Sequence, residues 1–363
     1  MKTQKITIGS CSYPMFIDSH LIARLGEICD LYRFPATRIV ITDQSTENPM
    51  IDRLRSLENC HVLYFPPAAK PANFQQLEQI YATLPWQQLA SGVTLIALGE
   101  EPWLEVVNFA IALLHVPVQL INVPISLWSM VEMGVSGSVI LDWHDQSQSL
   151  TITPSPRLVL LDLDCLSQAD AAARLLGVAG LLRHFSMTKS MPSLVAFVEG
   201  NSAASNPDVS LVPLLEELTN TRLSLLLNSE GRAWLGDFGK RWCRSAQTLS
   251  EAGLVRREKA VLVLLEIAWR WRVAVALGWC EAQESESMLS LMEKICRQFQ
   301  VNDEEWLRAR SFAEHFLSAA NLAGIYLPET FGKLKYAAAL EIPLAQQCLV
   351  EAAAGSKKSK TAV

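Results

Sequence analysis

Residues 94–137, TLIALGEEPWLEVVNFAIALLHVPVQLINVPISLWSMVEMGVSG, constrain the fold more than any other stretch of the chain. An apolar run at Val93–Leu98 leads into Gly99. Apolar residues then recur at helical spacing at Trp103, Val106, Val107 and Ala110, and a second apolar run follows at Val118–Val123. Strand, turn, helix and strand in that order set a helix N-terminus over the end of a parallel sheet, the place where a glycine-rich turn holds phosphate. Here the turn reads Gly99-Glu100-Glu101-Pro102. Carboxylates at that point favour the helix dipole and repel an anion. The scaffold has the shape of a nucleotide domain, and its turn is not the usual one.

Residues 106–131 carry no charged side chain and are long enough to span a bilayer. Asn108, His115, Gln119 and Asn122, with Pro117 and Pro124 dividing the run, favour a buried helix, strand and turn of an α/β sheet instead. The start, MKTQKITIGS, lacks the apolar stretch of a secretory signal, so a cytoplasmic protein with no membrane association is expected. A net charge of −6 argues against a nucleic-acid surface. Eight cysteines without a CxxC pair or regular spacing suit reduced, buried thiols.

Strand candidates at Lys5–Ile8, Arg38–Thr42, His61–Phe65, Val93–Leu98, Val118–Val123 and Leu158–Leu161 alternate with helical stretches near 18–31, 73–83 and 103–114. This alternation predicts a mostly parallel, Rossmann-like sheet with helices on both faces. After residue 166 the pattern turns helical. Ser167–Asp170 and Asn302–Glu305 read as helix N-termini, with helices near 209–227, 232–250 and 256–280 between them. The expected organisation is an α/β domain over 1–166, an all-helical domain over 167–354 and a disordered tail over 355–363. Residues 200–208 are expected to form a flexible loop.

The order of these pieces resembles the 3-dehydroquinate synthase and sugar-phosphate cyclase family. RIVITDQSTENP (38–49), FPPAAKPANFQQLEQI (65–80) and VPISLWSMVEMGVSG (123–137) are each similar to family segments. SPRLVLLDLDCLSQADAAARLLGVAGLLRHF (155–185) and WRVAVALGWCEA (271–282) continue the likeness downstream. The resemblance implies a cleft between an α/β and a helical domain that holds NAD, a divalent metal bound by one Glu and two His, and a sugar phosphate. It also implies pairing through the α/β domain.

Compared with that pattern, Gly180 stands where the family has its metal-binding Glu, and Trp271 where it has a metal-binding His. No histidine occurs between His184 and His315. Gly and Trp side chains offer no metal donor, so no divalent metal and weak or absent NAD are expected. Asp43, Lys70 and Gly99 are the vestigial cofactor positions. Glu105, Glu132 and Arg183 are the catalytic candidates, Arg183 replacing a family Lys. Ser138 and the Gln146–Gln148 region replace family cations, which removes charge-assisted bonds. Each retained residue also has an ordinary structural reading. Asp43 suits a turn, Glu105 a helix first turn, Lys70 a solvated surface, and Glu132 a cleft or a paired cation. Trp269, Trp271 and Trp279 read as core or interface filling.

Three functions follow. The first is a non-catalytic member of the family that acts as a binding partner, as a homodimer or with a cyclase-like paralogue or other pathway protein. The second is a metal-independent enzyme on a cyclic or sugar-like substrate, and the third a conventional NAD- and metal-dependent cyclase. The first accounts for the simultaneous changes with the fewest assumptions.

Overall fold

The computed structural model describes residues 2–44, 50–66, 74–136, 139–143, 146–153, 156–188, 191–200, 208–249, 254–317, 322 and 324–354. Lys70, Ser138, residues 201–207 of the expected loop and the 355–363 tail lie outside the described residues. The chain divides into two compact units, Met1–Ala169 and Asp170–Val363.

The first unit opens with an antiparallel hairpin, β1 (Lys2–Ile8) and β2 (Cys11–Asp18), followed by α1 (Leu25–Leu31). The pattern then alternates: β3 (Arg38–Asp43), α2 (Met50–Arg55), β4 (Cys60–Phe65), α3 (Phe74–Thr83), α4 (Trp86–Ala90), β5 (Val93–Gly99), α5 (Glu101–Ala112), β6 (Val118–Pro124) and α6 (Leu127–Met133). A second hairpin, β7 (Val139–Trp143) and β8 (Gln146–Ile152), precedes β9 (Leu158–Asp162). The seven-stranded sheet has the order β1-β2-β9-β6-β5-β3-β4, parallel except for the β1–β2 pair. Crossover helices cover a parallel sheet, so its central strands are apolar on both faces; β3, β5 and β9 are buried along their whole length.

The uncharged run is resolved by that sheet. The Asn108 and Asn122 side chains exchange hydrogen bonds of 3.1 and 3.0 Å between α5 and β6. Asn108 also donates to the Leu104 carbonyl at 2.7 Å. Two buried amides satisfy each other, as buried polar groups require. Among the described residues no helix is long and apolar enough to cross a membrane.

The second unit comprises α7 (Ala171–Ser186), α8 (Met191–Gly200), α9 (Asp208–Leu226), α10 (Ser229–Asp237), α11 (Arg241–Leu249), α12 (Arg256–Ala276), α13 (Ala282–Gln298) and α14 (Asp303–Phe316). A hairpin, β10 (Ile325–Thr330) with β11 (Lys333–Ala337), and α15 (Ile342–Ala354) complete it. The all-helical expectation is thereby corrected: Gly332 at φ +81° closes a strand turn after Thr330 and Phe331. The single helix expected over 232–250 is two, divided at Gly239, whose φ of +69° stops a right-handed helix. Helix α12 is the hub, packing against α7, α11, α13, α14 and α15, and its residues from Ala260 to Trp271 are all buried.

Candidate functional site

In the α/β unit, Asp43, Phe65, Gly99 and Pro124 end the adjoining parallel strands β3, β4, β5 and β6, because Asp43 pairs with Phe65 and Gly99 with Pro124. This edge is where an open α/β sheet binds its ligand. Asp43 is buried there. Gly99 is required by packing: a Cβ at this position would stand 2.5 Å from Cδ1 of Trp103. The Trp103 indole lies over the turn, 5.4 Å from the Phe65 ring, and donates to the Ile41 carbonyl at 3.3 Å.

The N-terminus of α5 is tied to α6. The Glu101 N–H donates to Ser129 Oγ at 2.9 Å, and Ser129 Oγ lies 2.8 Å from Ser126 Oγ. Ser126 is the N-cap of α6 and accepts from the Ser129 N–H. The Glu101 carboxylate is buried and accepts from the Trp128 indole at 2.5 Å. One of the two turn carboxylates is therefore drawn inward, and proline at 102 brings no N–H. Glu105 is half-buried on α5 and Glu132 buried on α6, and neither is without a partner. The two elements pack together, so the structure places these candidates on adjoining helices of one unit.

Arg183 belongs to the helical unit and is fully buried. Its guanidinium donates to the Phe238 and Leu235 carbonyls, at the end of α10. The next residue, His184, is held from both sides. Arg222 donates to Nε2. An arginine only donates, so Nε2 is unprotonated and Nδ1 carries the hydrogen, which it gives to the Gly180 carbonyl at 3.1 Å.

A second buried network, missed in the sequence, centres on Arg270. Its side chain reaches Asp237 at 2.7 Å, the Tyr326 carbonyl at 2.6 Å and Glu266 at 2.6 Å, while the other Glu266 oxygen accepts from the Trp242 N–H at 2.9 Å. Burial alone would raise the Asp237 carboxyl, but the Arg270 guanidinium outweighs it and holds Asp237 below the usual carboxylate range. The i,i+4 spacing of Glu266 and Arg270 was the available signal. Trp269 and Trp271 are fully buried: Trp269 donates to the Ala345 carbonyl at 2.9 Å, and the Trp271 ring lies 4.8 Å from that of Phe331. Trp279 is only half-buried, with the Lys335 ammonium over its ring.

Residues 62–174 match the family model of the 3-dehydroquinate synthase N-terminal region. A 3-dehydroquinate synthase of Mesorhizobium japonicum is 27% identical over 205 residues, 55% of this chain and 53% of the relative. One from Rhodospirillum rubrum is 28% identical over 185 residues, 49% and 48% of the two chains. The chain thus spans about half the length of the curated relatives it matches. Among solved structures, 2-deoxy-scyllo-inosose synthase complexed with carbaglucose-6-phosphate, NAD+ and Co2+ superposes with a TM-score of 0.77 at 13% identity, covering 96% of this chain and 99% of that one. The 2-epi-5-epi-valiolone synthase of Streptomyces hygroscopicus subsp. jinggangensis with NAD+ and Zn2+ gives 0.73 at 15% identity, with the same coverages. The fold is that of the cyclases. The similarity to 3-dehydroquinate synthases covers residues 62–174 in the family model and about half of the chain in the relatives, and the likeness to the cyclase structures is one of fold.

These relatives overturn one expectation. The same fold holds NAD+ with Co2+ in one neighbour and NAD+ with Zn2+ in the other, so the altered motif residues do not make this a cofactor-free protein. For NAD, Asp43 ends β3 where an acidic side chain takes a nucleotide ribose in folds of this type, whereas the Glu101 N–H is already bonded to Ser129. For a metal, the position that the resemblance gives to the family's Glu is Gly180, which offers no side chain and whose carbonyl is taken by His184. No reaction step is drawn through either group.

Proposed function

We propose that this dehydroquinate synthase-like chain serves as a non-catalytic, complex-forming member of its family, pairing with itself or with a cyclase-like partner in a biosynthetic pathway. One observation carries this reading. Arg183, the one cation retained at the family's helix position, is fully buried and spends its guanidinium on the Phe238 and Leu235 carbonyls. A catalytic cation must reach the charge that develops on a substrate, and this one holds α7 to the end of α10.

The test is turnover of sugar phosphates by the purified chain supplied with NAD+ and Co2+ or Zn2+. The expected result is none, with a complex forming when a purified cyclase-like relative is added. Turnover at an enzyme-like rate overturns the proposal. A second reading, an enzyme with altered chemistry on a cyclic or sugar-like substrate, is favoured by Glu105 and Glu132 on packed helices. Loss of biological function in a folded E105Q/E132Q variant supports that reading over the first.

A further inference from the structure

The helical unit carries a groove of about 630 Å³ that none of the site residues above enters. One wall is a face of α8, with Met191 and Val195 one turn apart and Glu199 one turn further. The facing wall is the strand turn Thr330–Phe331, together with Glu284 of α13. The floor is apolar, and the Phe331 ring is fixed from behind by Trp271. The volume lies within the range of small-molecule sites, which are mostly apolar with a few polar groups that set orientation.

The polar groups of this groove have one sign. Glu284 and Glu199 line it, and no Lys or Arg does among the described residues. Glu284 Oε1 accepts from Thr330 Oγ1 at 2.6 Å, which fixes the carboxylate and leaves it further acceptor capacity. Its negative field is felt beside it: the Cys280 thiol is pushed up to about 11, first by burial and then by Glu284. Glu199 pairs with Lys294 at 2.6 Å, but both side chains are about half exposed, so this bond is weak and exchangeable. Beyond α8 a second hollow of about 370 Å³, with Glu217 on its wall, continues from the same helix. An anion such as a sugar phosphate is disfavoured here on charge alone.

We propose that the groove between α8, α13 and the β10–β11 turn binds a small organic cation, an ammonium group on an apolar body, with the body on Met191, Val195 and Phe331 and the ammonium between Glu284 and Glu199. The aromatic face of Phe331 adds to the attraction for a cation. No covalent step is involved.

The test is calorimetric titration of the full chain with three probes of equal apolar length: n-octylammonium, n-octanol and n-nonanoate. The ammonium is expected to bind at least about threefold more tightly than the alcohol, the scale of a partly exposed ion pair, with the carboxylate weakest. In folded E284Q and E199Q variants the ammonium affinity should fall about threefold each, while the alcohol is unchanged. An ammonium that binds no better than the alcohol, a carboxylate that binds best, or variants without effect would each overturn the proposal. The probe comparison on the unaltered protein decides it even if a variant fails to fold.

Discussion

Arg183 shows how a side chain retained in sequence changes its work in a fold. Its guanidinium is buried, and Gly239 leaves it room, since a Cβ there would stand 3.1 Å from the Arg183 side chain. Replacing Arg183 with Ala leaves two buried carbonyls without donors and opens a cavity. We expect a loss of about 3 kcal/mol or more in urea denaturation, and about 1–2 kcal/mol for R183K, which keeps the charge but not the fork. An R183A variant as stable as the parent would show that the guanidinium does not hold α7 to α10. At this scale the sequence was legible in residue identity and opaque in direction. Glu105, Asp43 and Gly99 lie on or at the end of the elements predicted for them, Glu132 lies on α6, a helix that was not predicted, and the Glu101 carboxylate, read as repelling an anion at the turn, is bonded to Trp128. A single sequence does not show that an indole 27 residues away will take that carboxylate. The Glu266–Arg270–Asp237 network was hidden for a similar reason, since Asp237 reaches Arg270 only through tertiary packing.

Elements were most legible where local chemistry fixes an end. Asp170 caps α7 and Asn302 caps α14, as the acidic and amide residues before each helix predict. The α14 cap is reciprocal: the Glu305 carboxylate accepts the Asn302 N–H at 2.9 Å, and Asn302 accepts the Glu305 N–H at 3.0 Å. Glu305 also accepts from Arg257. Burial raises the Glu305 carboxyl somewhat, and the Arg257 bond outweighs that and leaves it below its ordinary 4.5. A depressed acid is ionised more readily folded than unfolded, so its stabilisation is complete above 4.5 and is lost as pH falls through the folded value. Denaturation midpoints below pH 4.5 should therefore fall faster for the parent than for E305Q; parallel curves would remove Glu305 from the acid response. Likewise, S129A leaves the buried Glu101 N–H without its acceptor and should cost about 1–3 kcal/mol. A change within about 0.5 kcal/mol, the range of an ordinary surface substitution, would mean that α5 does not depend on this tie. The hairpins were missed because their pairing is not written in helical or parallel periodicity. Strand β2 carries Pro14 inside its run, and β10 and β11 are short strands lying within an otherwise helical unit.

At the scale of the whole molecule, the α/β unit retains what a shape needs. Its core runs through Ile39, Leu95, Val106 and Leu120 and is closed over by the β7–β8 hairpin through Val139 and Leu141. Among the described strands β1 and β4 stand at the two ends of the sheet, and an edge strand is a template for another chain unless it is blunted. Charged and polar residues on β1, with Lys2 and Lys5 exposed, blunt one edge. The β4 edge presents Tyr64, more than a third exposed, with Arg55 stacked on its ring. Aromatic and arginine side chains are the types enriched at protein interfaces. If the chain works by assembly, its sedimentation mass in dilute solution should be twice 40.2 kDa alone, or 40.2 kDa plus the relative's own mass after addition of a cyclase-like relative. A Y64K substitution, which sets a second positive charge beside Arg55 on that edge, should weaken the association at least about tenfold while leaving the monomer folded, because a buried unpaired charge costs more than the contact returns. A mass of one chain under both conditions would remove assembly as the function, and undiminished association of Y64K would move the interface away from β4.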